Sequence, residues 1–539
     1  MSSDKKIIET DVLIVGSEGA GSRAAIEVAR NGLDVIIATK GTFTKCGATV
    51  TAGTDIAVPS KDAKELFGFE KGDERDTVEN FAQDMFEEGK YMNNEDVVFA
   101  HCNNAAKCIK ELADWGMKLE SLEQTAGHRY PRGIMSTGRS MVAALKRGTK
   151  PYKIKFAENT MINNLLWKDG RITGATGIDL RSGDFLVFKA KAVILGTGGA
   201  MRLYPITTAP EELTGDGLNM AYLAGAELVD MEFPLFLPCC LYWPKSMLGH
   251  SMNGISGRAS SWWLNRFDVR FIEKWGPLRM EIGTTRDVAS IAMATEILEG
   301  RGSPHGGIFL SFKHIPPEII DMTAHSSRFM YDLFFGEFAL DKFNLNPKNV
   351  AFEAGPASHY WNGGIKVNGK GETTIPGLYA AGEVQGGTMG SNRLSGNAVT
   401  ECVVFGYLSG LNASEYAKSA PKPEIDEEQV DANYEQTYRP LNLKDGVDVS
   451  EARLKMQDLA FKYIGPIREE KGIKTCLTEV EKLKKDIIPN MATRAKAKVY
   501  NREGVAALEN HSLLRVMEIA AQASLVRQEN RGCHVLFAL

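Results

Sequence analysis

The stretch DVLIVGSEGAGSRAAIEVA, from Asp11 to Ala29, constrains the fold more than any other. Val12–Val15 is an unbroken apolar run and reads as a buried parallel strand. Ala20–Ala29 carries small and apolar residues at helical spacing. Between them, Gly16, Gly19 and Gly21 make a turn tight enough for backbone N–H groups to meet a phosphate at a helix start. A second buried strand, LDVIIAT (Leu33–Thr39), follows. Strand, helix, strand is the opening unit of a doubly wound, dinucleotide-binding sheet. One position resists. Where G-x-G-x-x-G has its second glycine stands Glu18, a carboxylate at the approach of a pyrophosphate. Like charges in a partly dry site repel, so Glu18 is expected to point away, toward solvent or a basic neighbour.

At 539 residues the chain is too long for one small core, and two or three domains are expected. Residues 76–118 read as helical. KAVILGTGGA (Lys191–Ala200) is another buried strand ending in glycines, and GLYAAGEVQGG (Gly377–Gly387) repeats that pattern. Residues 240–345, richer in Trp, Met and Phe, read as an inserted domain. SAPKPEIDEEQ (Ser419–Gln429) is a polar, proline-bearing linker, followed by several amphipathic helices over 430–530.

The net charge of −5 gives no electrostatic case for nucleic acid or an anionic membrane as partner. No apolar run reaches the roughly 18 residues of a membrane span. The start, MSSDKKIIETD, has no apolar signal core, so a cytoplasmic location is expected, with membrane attachment only through a partner. The eight cysteines form no C-x-x-C, hence no recognisable iron–sulfur or c-haem motif, and no metal site is expected. They read as free thiols. This includes the vicinal pair Cys239-Cys240, for which packing outweighs thiol redox chemistry.

Three glycine sites occur at separate places: Gly16/Gly19/Gly21, Gly196/Gly198/Gly199, and Gly382/Gly386/Gly387/Gly390. With VLIVGSEGAGSRAAI, AVILGTGG, TGDGLNMAYLAGAELVDMEF, TTRDVAS, HYWNGGI, GLYAAGEVQGGTMGSNRLSGNAVTECVVFG and ENRGCH in this order, the chain resembles the flavoprotein subunits of succinate dehydrogenase, fumarate reductase and L-aspartate oxidase. The resemblance implies an α/β fold: a Rossmann-like FAD-binding domain (1–237 and 350–418), an inserted α+β capping domain (238–349) and a C-terminal helical domain (419–539). It implies FAD as cofactor, and an iron–sulfur subunit as electron partner.

It also assigns residues. Around FAD it places Gly16, Glu18, Gly19, Ala20, Gly21, Gly53, Gly198, Gly199, Asn397 and Ala398. Thr39-Lys40 stands where fumarate reductases carry Ser-Lys. Glu383 is the first candidate for an FAD hydroxyl and Asp216 the second. Covalent members carry a flavin-linked histidine after the second strand. Here Gly47 is near that place, which implies non-covalent FAD, with Cys46 beside it a packed thiol.

For the reacting pocket, the family's T-R-D arginine, which delivers a proton, is Arg286. The carboxylate-binding histidine and arginine of H-Y-x-x-G-G and N-R-L-x-G-N are His359 and Arg393. Other family groups are missing. In MEFPLFLPCC (Met231–Cys240) the substrate histidine has become Leu237. The Thr-Glu pair and arginine that bind a second carboxylate and relay the proton align with Asn253, Gly254 and Gly257, with Arg258 shifted by one. A buried second carboxylate without donors is costly. The substrate is therefore expected to be a small carboxylic acid other than plain fumarate. Trp262, with Tyr242, Trp243 and Trp263, is a candidate apolar end against ordinary packing of the cap. A dicarboxylate held by Asn253 or Arg258 stays open. So do adenylylsulfate-reductase-like and L-aspartate-oxidase-like chemistries, and a non-catalytic FAD electron-transfer subunit.

Overall fold

The computed structural model describes residues 5–252, 261–276, 280–324 and 345–536. Strand β1 (Lys5–Val15) ends in four buried residues and leads through the glycine turn into helix α1 (Gly19–Arg30). Strand β2 (Val35–Thr39) is buried throughout. A one-turn helix α2 (Ala48–Thr51) and strand β3 (Gly53–Ala57) follow. Strands β4 (Ile154–Glu158), β5 (Thr160–Lys168), β6 (Arg171–Asp179) and β7 (Phe185–Leu195) complete the first stretch of sheet, and α3 (Asp216–Leu223) returns toward it.

The sheet order is β4-β2-β1-β7-β6-β5. The β-branched centre pairs in parallel, Val12 with Val35 and with Ala192, and β5–β7 form an antiparallel meander. This is the doubly wound opening expected from the sequence.

The inserted layer is a four-stranded sheet of β8 (Pro234–Leu241), β9 (Trp262–Leu264), β10 (Ile308–Ser311) and β11 (Phe352–Trp361), with helix α4 (Arg286–Glu296) against it. Its strand order is β8-β11-β10-β9. Its own core includes Leu241, Trp263, Phe271, Met293, Leu310 and Phe352. This corrects the boundaries read from the sequence. Residues 234–237 and 352–361 fall by sequence in the FAD-binding domain, yet they hydrogen-bond to each other as the two strands that carry the cap, Leu237 opposite Ala357.

Strand β12 (Leu378–Ala380) rejoins the large sheet beside β7. Helix α5 (Asn397–Ser419) then packs on α1 so closely that a Cβ at Gly406 would lie 2.6 Å from the Ala20 carbonyl oxygen. Helices α6 (Glu427–Asn442), α7 (Val449–Tyr463), α8 (Glu470–Lys482) and α9 (Arg502–Val526) form the C-terminal layer. No helix among the described residues is long and apolar enough to cross a membrane.

Candidate active site

The cleft at the carboxyl ends of β1, β2 and β7 is lined by Gly16, Glu18, Gly19, Ala20, Thr39, Lys40, Gly47, Gly198, Asp216 and Glu383. Its interior is about 110 Å³. Two glycines are obligatory. Gly16 has φ +103°, and a Cβ there would lie 2.2 Å from the Gly196 carbonyl oxygen; a Cβ at Gly21 would lie 1.9 Å from the Gly16 oxygen. The turn and the end of β7 touch backbone to backbone.

Of the remaining predicted cofactor residues, Gly199 faces Glu383, since a Cβ there would meet Glu383 Oε1. Asn397 is buried at the first turn of α5. Gly53 is exposed at the start of β3, and Ala398 packs against the cluster of Phe233, Leu235 and Tyr360. The sequence reading missed Thr160 and Ile162 on β5, and Thr197 and Glu212, all on the cleft wall. No local pattern marks the β5 pair, which reaches the cleft only through the pairing of the sheet.

Lys40 is locked in place. Its Nζ lies 2.5 Å from Asp216 Oδ2, 2.8 Å from Glu509 Oε1 on α9 and 2.8 Å from Thr214 Oγ1. Burial works against its charge, but the two carboxylates outweigh it and raise its pKa. The C-terminal helical layer thus closes the back of the cleft through a charge pair. Glu383 is also committed. Its Oε1 accepts from the Trp361 backbone N–H at 3.0 Å, and burial pushes it up to about 7.

Glu18 does not point toward solvent or a base. Its Oε2 accepts from the Val50 N–H at 3.1 Å, at the short helix α2, and burial pushes the carboxyl up to about 7. The space it uses is the space that Gly47 leaves: a Cβ at Gly47 would lie 2.5 Å from Glu18 Cγ. The expectation failed because a backbone N–H, rather than a cation, receives the carboxylate. Cys46 is half-buried, its Sγ donating to the Thr42 carbonyl, and burial raises its thiol.

On the cap side, the three predicted catalytic residues converge. Arg286 opens α4 and its Nη1 reaches the Arg393 carbonyl oxygen at 3.5 Å. Arg393 Nη2 lies 3.4 Å from His359 Nε2, and its guanidinium sits 4.9 Å over the Tyr360 ring. His359 Nδ1 lies 2.7 Å from Thr208 Oγ1. A guanidinium only donates, so Nε2 is the acceptor and Nδ1–H donates to Thr208. Burial and the two guanidinium charges hold His359 well below the usual imidazole range. It is neutral. Thr208 had no signal in the sequence and fixes the tautomer.

The loop that carries Arg393 is strapped from outside. Cys533 N–H donates to the Ser391 carbonyl at 3.0 Å, and Asn392 Nδ2 donates to Glu88 at 2.6 Å. Leu237 faces Ala357 across β8 and β11 and clusters with Cys240 and Ile206. The pairing shifts between Leu235 and Phe236, opposite His359, so strand alternation does not carry from Ala357 to His359. The four aromatic rings have separate partners instead. Trp262 stacks on His314 at 4.3 Å, Trp243 stacks on His305 at 4.1 Å, Trp263 is in the cap core, and Tyr242 Oη donates to the Pro356 carbonyl. Asn253, Gly254, Gly257 and Arg258 lie outside the described residues. Cys239 and Cys240 are buried thiols outside any disulfide, and burial raises that of Cys240.

Comparison with known proteins gives the family. The family described as an FAD binding domain matches residues 11–399, and that described as the fumarate reductase flavoprotein C-terminus matches residues 453–536. The chain belongs to the fumarate reductase and succinate dehydrogenase flavoprotein family. It is 32% identical to an uncharacterized FAD-dependent oxidoreductase of Methanocaldococcus jannaschii, over 98% of this chain and 93% of the relative. It is 29% identical to a fumarate reductase (CoM/CoB) subunit of Methanothermobacter marburgensis, over 98% and 94%. Among solved structures, a quinol fumarate reductase of E. coli superposes with a TM-score of 0.85 at 25% identity, covering 99% of this chain and 92% of that one.

The cofactor of this flavoprotein family is FAD, and the cleft fits it. Asp216 Oδ1 and Thr197 Oγ1 are buried there and make no hydrogen bond to the protein; a buried acceptor and a buried hydroxyl at this place are suited to ribityl or ribose hydroxyls. The glycine turn at the head of α1 is shaped for a diphosphate.

Proposed function

We propose that this chain is the FAD-bearing catalytic subunit of an enzyme that reduces, or forms, a C=C bond beside a carboxylate. FAD, non-covalently bound, supplies the hydride. The observation that carries the reading is the chain of contacts from Arg286 to the Arg393 backbone and from the Arg393 guanidinium to neutral His359. Two guanidinium groups offer a carboxylate charge and a forked set of donors. Arg286, at the start of α4, is the group placed to hand a proton to the carbon that does not take the hydride. Leu237 stands where the family carries a substrate histidine and packs with Cys240, Ala357 and Ile206; without a donor at that position, a far end that is apolar rather than a second carboxylate is the better fit. For electron exchange the proposal is an iron–sulfur subunit as partner, by analogy with the family's multi-subunit members.

The test is anaerobic stopped-flow reoxidation of the reduced holoprotein, followed by flavin absorbance, with fumarate, alkyl- and aryl-acrylates and adenylylsulfate in parallel. Rapid reoxidation by an acrylate and slow reoxidation by fumarate is the expected result. Rapid reoxidation by fumarate overturns the apolar far end. Reoxidation by adenylylsulfate alone overturns the C=C chemistry.

A further inference from the structure

A guanidinium that donates a proton must regain one before the next turnover, because its pKa is above about 12. The acidic residue that serves the family for this has no counterpart at Asn253 and Gly254. The structure offers another carboxylate. Arg286 Nη2 donates to Ser395 Oγ at 2.9 Å, and Ser395 Oγ donates in turn to Asp55 Oδ2. Ser395 is buried, 8% exposed. Asp55 lies on β3, half-buried, two residues from exposed Gly53. One hydroxyl therefore separates the arginine from a carboxylate at the edge of solvent.

The surroundings hold this line in register. His128 Nε2 lies 2.9 Å from the Ser395 carbonyl oxygen, and Arg132 Nη1 lies 3.3 Å from His128 Nδ1. The guanidinium must donate, so Nδ1 accepts and Nε2–H donates to the Ser395 carbonyl. Burial lowers His128 to about 4, which keeps it neutral and out of the proton traffic. Arg132 is itself fixed by Asp76 and Asp84, all three fully buried. Arg132, His128 and the Ser395 backbone form a rigid mount, and the serine hydroxyl is the moving part.

We propose that Asp55 returns protons to Arg286 through the Ser395 hydroxyl, in place of the family's relay. The inference rests on the reading of Arg286 as proton donor. The balance is simple. One substrate carbon takes the hydride and the other takes a proton from an Arg286 N–H, leaving a neutral guanidine. The Asp55 carboxylate then takes a proton from a buffer acid, or from water with release of hydroxide, and Ser395 O–H passes its proton to the guanidine nitrogen while its oxygen takes the proton of the Asp55 carboxylic acid. Arg286 is again a guanidinium and Asp55 again a carboxylate. The observed directions of donation, arginine to serine and serine to carboxylate, are those of the loaded state.

Loading before turnover separates this role from a structural brace. In the Asp55→Ala holoprotein, reduced once and mixed with the acid that reoxidises the wild type fastest, the first turnover is expected within about twofold of wild type. Steady-state turnover with reduced methyl viologen as donor is expected to fall on the order of 100-fold. Formate buffer is expected to restore it in a concentration-dependent way, and Asp55→Glu to retain most of it. Bound FAD and its visible spectrum report that the fold is kept. Equal loss in single and multiple turnovers, without rescue by formate or by glutamate, overturns the proposal in favour of a brace. Unchanged steady-state turnover overturns it as well. A wild type that none of the acids reoxidises sinks the functional reading instead, and this inference with it.

Discussion

Glu18 Cγ occupies the position 2.5 Å from where a Cβ on Gly47 would stand. Two departures from the family pattern, a carboxylate in the dinucleotide turn and a glycine near the flavin-linked histidine's place, are one packing solution. The pair is expected to couple energetically. Gly47→Ala strains a residue at φ +84° and collides with Glu18. Glu18→Gly removes the collision and leaves the backbone strain, so the double variant is expected to recover part of the loss, with a coupling of about 0.5–3 kcal/mol. Urea denaturation of the four proteins measures it; strict additivity would show that the side chains do not share the space.

Glu18 should also make FAD retention depend on pH. Burial holds its carboxyl up to about 7, while in the unfolded chain it ionises near about 4.3. The folded chain binds more protons across that window, so this group's contribution to stability falls as pH rises through it. A diphosphate beside it acts in the same direction. FAD affinity is expected to weaken by about tenfold from pH 6 to pH 8, and Glu18→Gly to flatten that slope. Fluorescence of released FAD is the readout. Equal slopes in the two proteins would mean that the carboxylate does not sense the phosphates.

Lys40→Met takes the cation from Asp216 and one of the two from Glu509, which keeps Arg453, in a closed site. A loss of about 3–5 kcal/mol is expected from thermal or denaturant melts. Glu509 is held below its usual range, because Lys40 and Arg453 outweigh the effect of burial. Its contribution is present above the unfolded carboxylate pKa and is lost as pH falls below about 4.3. The stability difference between wild type and Glu509→Gln is expected to shrink on acidification; a constant difference refutes the charge pair.

Binding of a carboxylic acid should take up a proton at His359. Burial and two arginines hold that imidazole neutral, and an incoming carboxylate offsets one of the two charges and shifts the balance toward the imidazolium. Affinity for an unreactive saturated acid is expected to rise as pH falls from 8 to 6. Calorimetry in buffers of different ionisation enthalpy counts the protons. Thr208→Val removes the acceptor that fixes the Nδ1–H tautomer, and is expected to weaken binding by about tenfold, with Thr208→Ser close to wild type. Proton-neutral binding would place the acid elsewhere.

The sequence made the first βαβ unit and the grouping of Arg286, His359 and Arg393 legible because each is written locally, as an apolar run, a glycine turn or a short motif. What escaped it depends on contacts made at a distance. The strand Phe352–Trp361 carries the start of the H-Y-W-N-G-G segment and reads as continuous with the FAD-binding domain, but its hydrogen bonds are to Pro234–Leu241. The direction of Glu18 is set by the emptiness of Gly47, which no local pattern announces. Ser395 and Asp55 meet although 340 positions apart. Residue type alone also does not say which ring finds a histidine to stack on, as Trp262 and Trp243 do.

Strand β8 carries an irregularity between Leu237 and Cys240, with Cys239 at φ +59°. Three positions apart on a regular strand, the two side chains would face opposite sides of the sheet; here both join one cluster with Ala357. The polarity of the pocket wall is therefore set by counting as well as by chemistry. Exchanging Leu237 for a polar residue rewrites one contact and keeps the register. From Leu237 to Cys240 the strand takes three steps against two from Ala357 to Gly355, so losing the one extra residue at the kink would regularise the pairing and keep the following stretch on its face, whereas losing a residue elsewhere in the strand would turn it inside out. Diversification at this wall is open to point substitution and, at this kink alone, to a change of length.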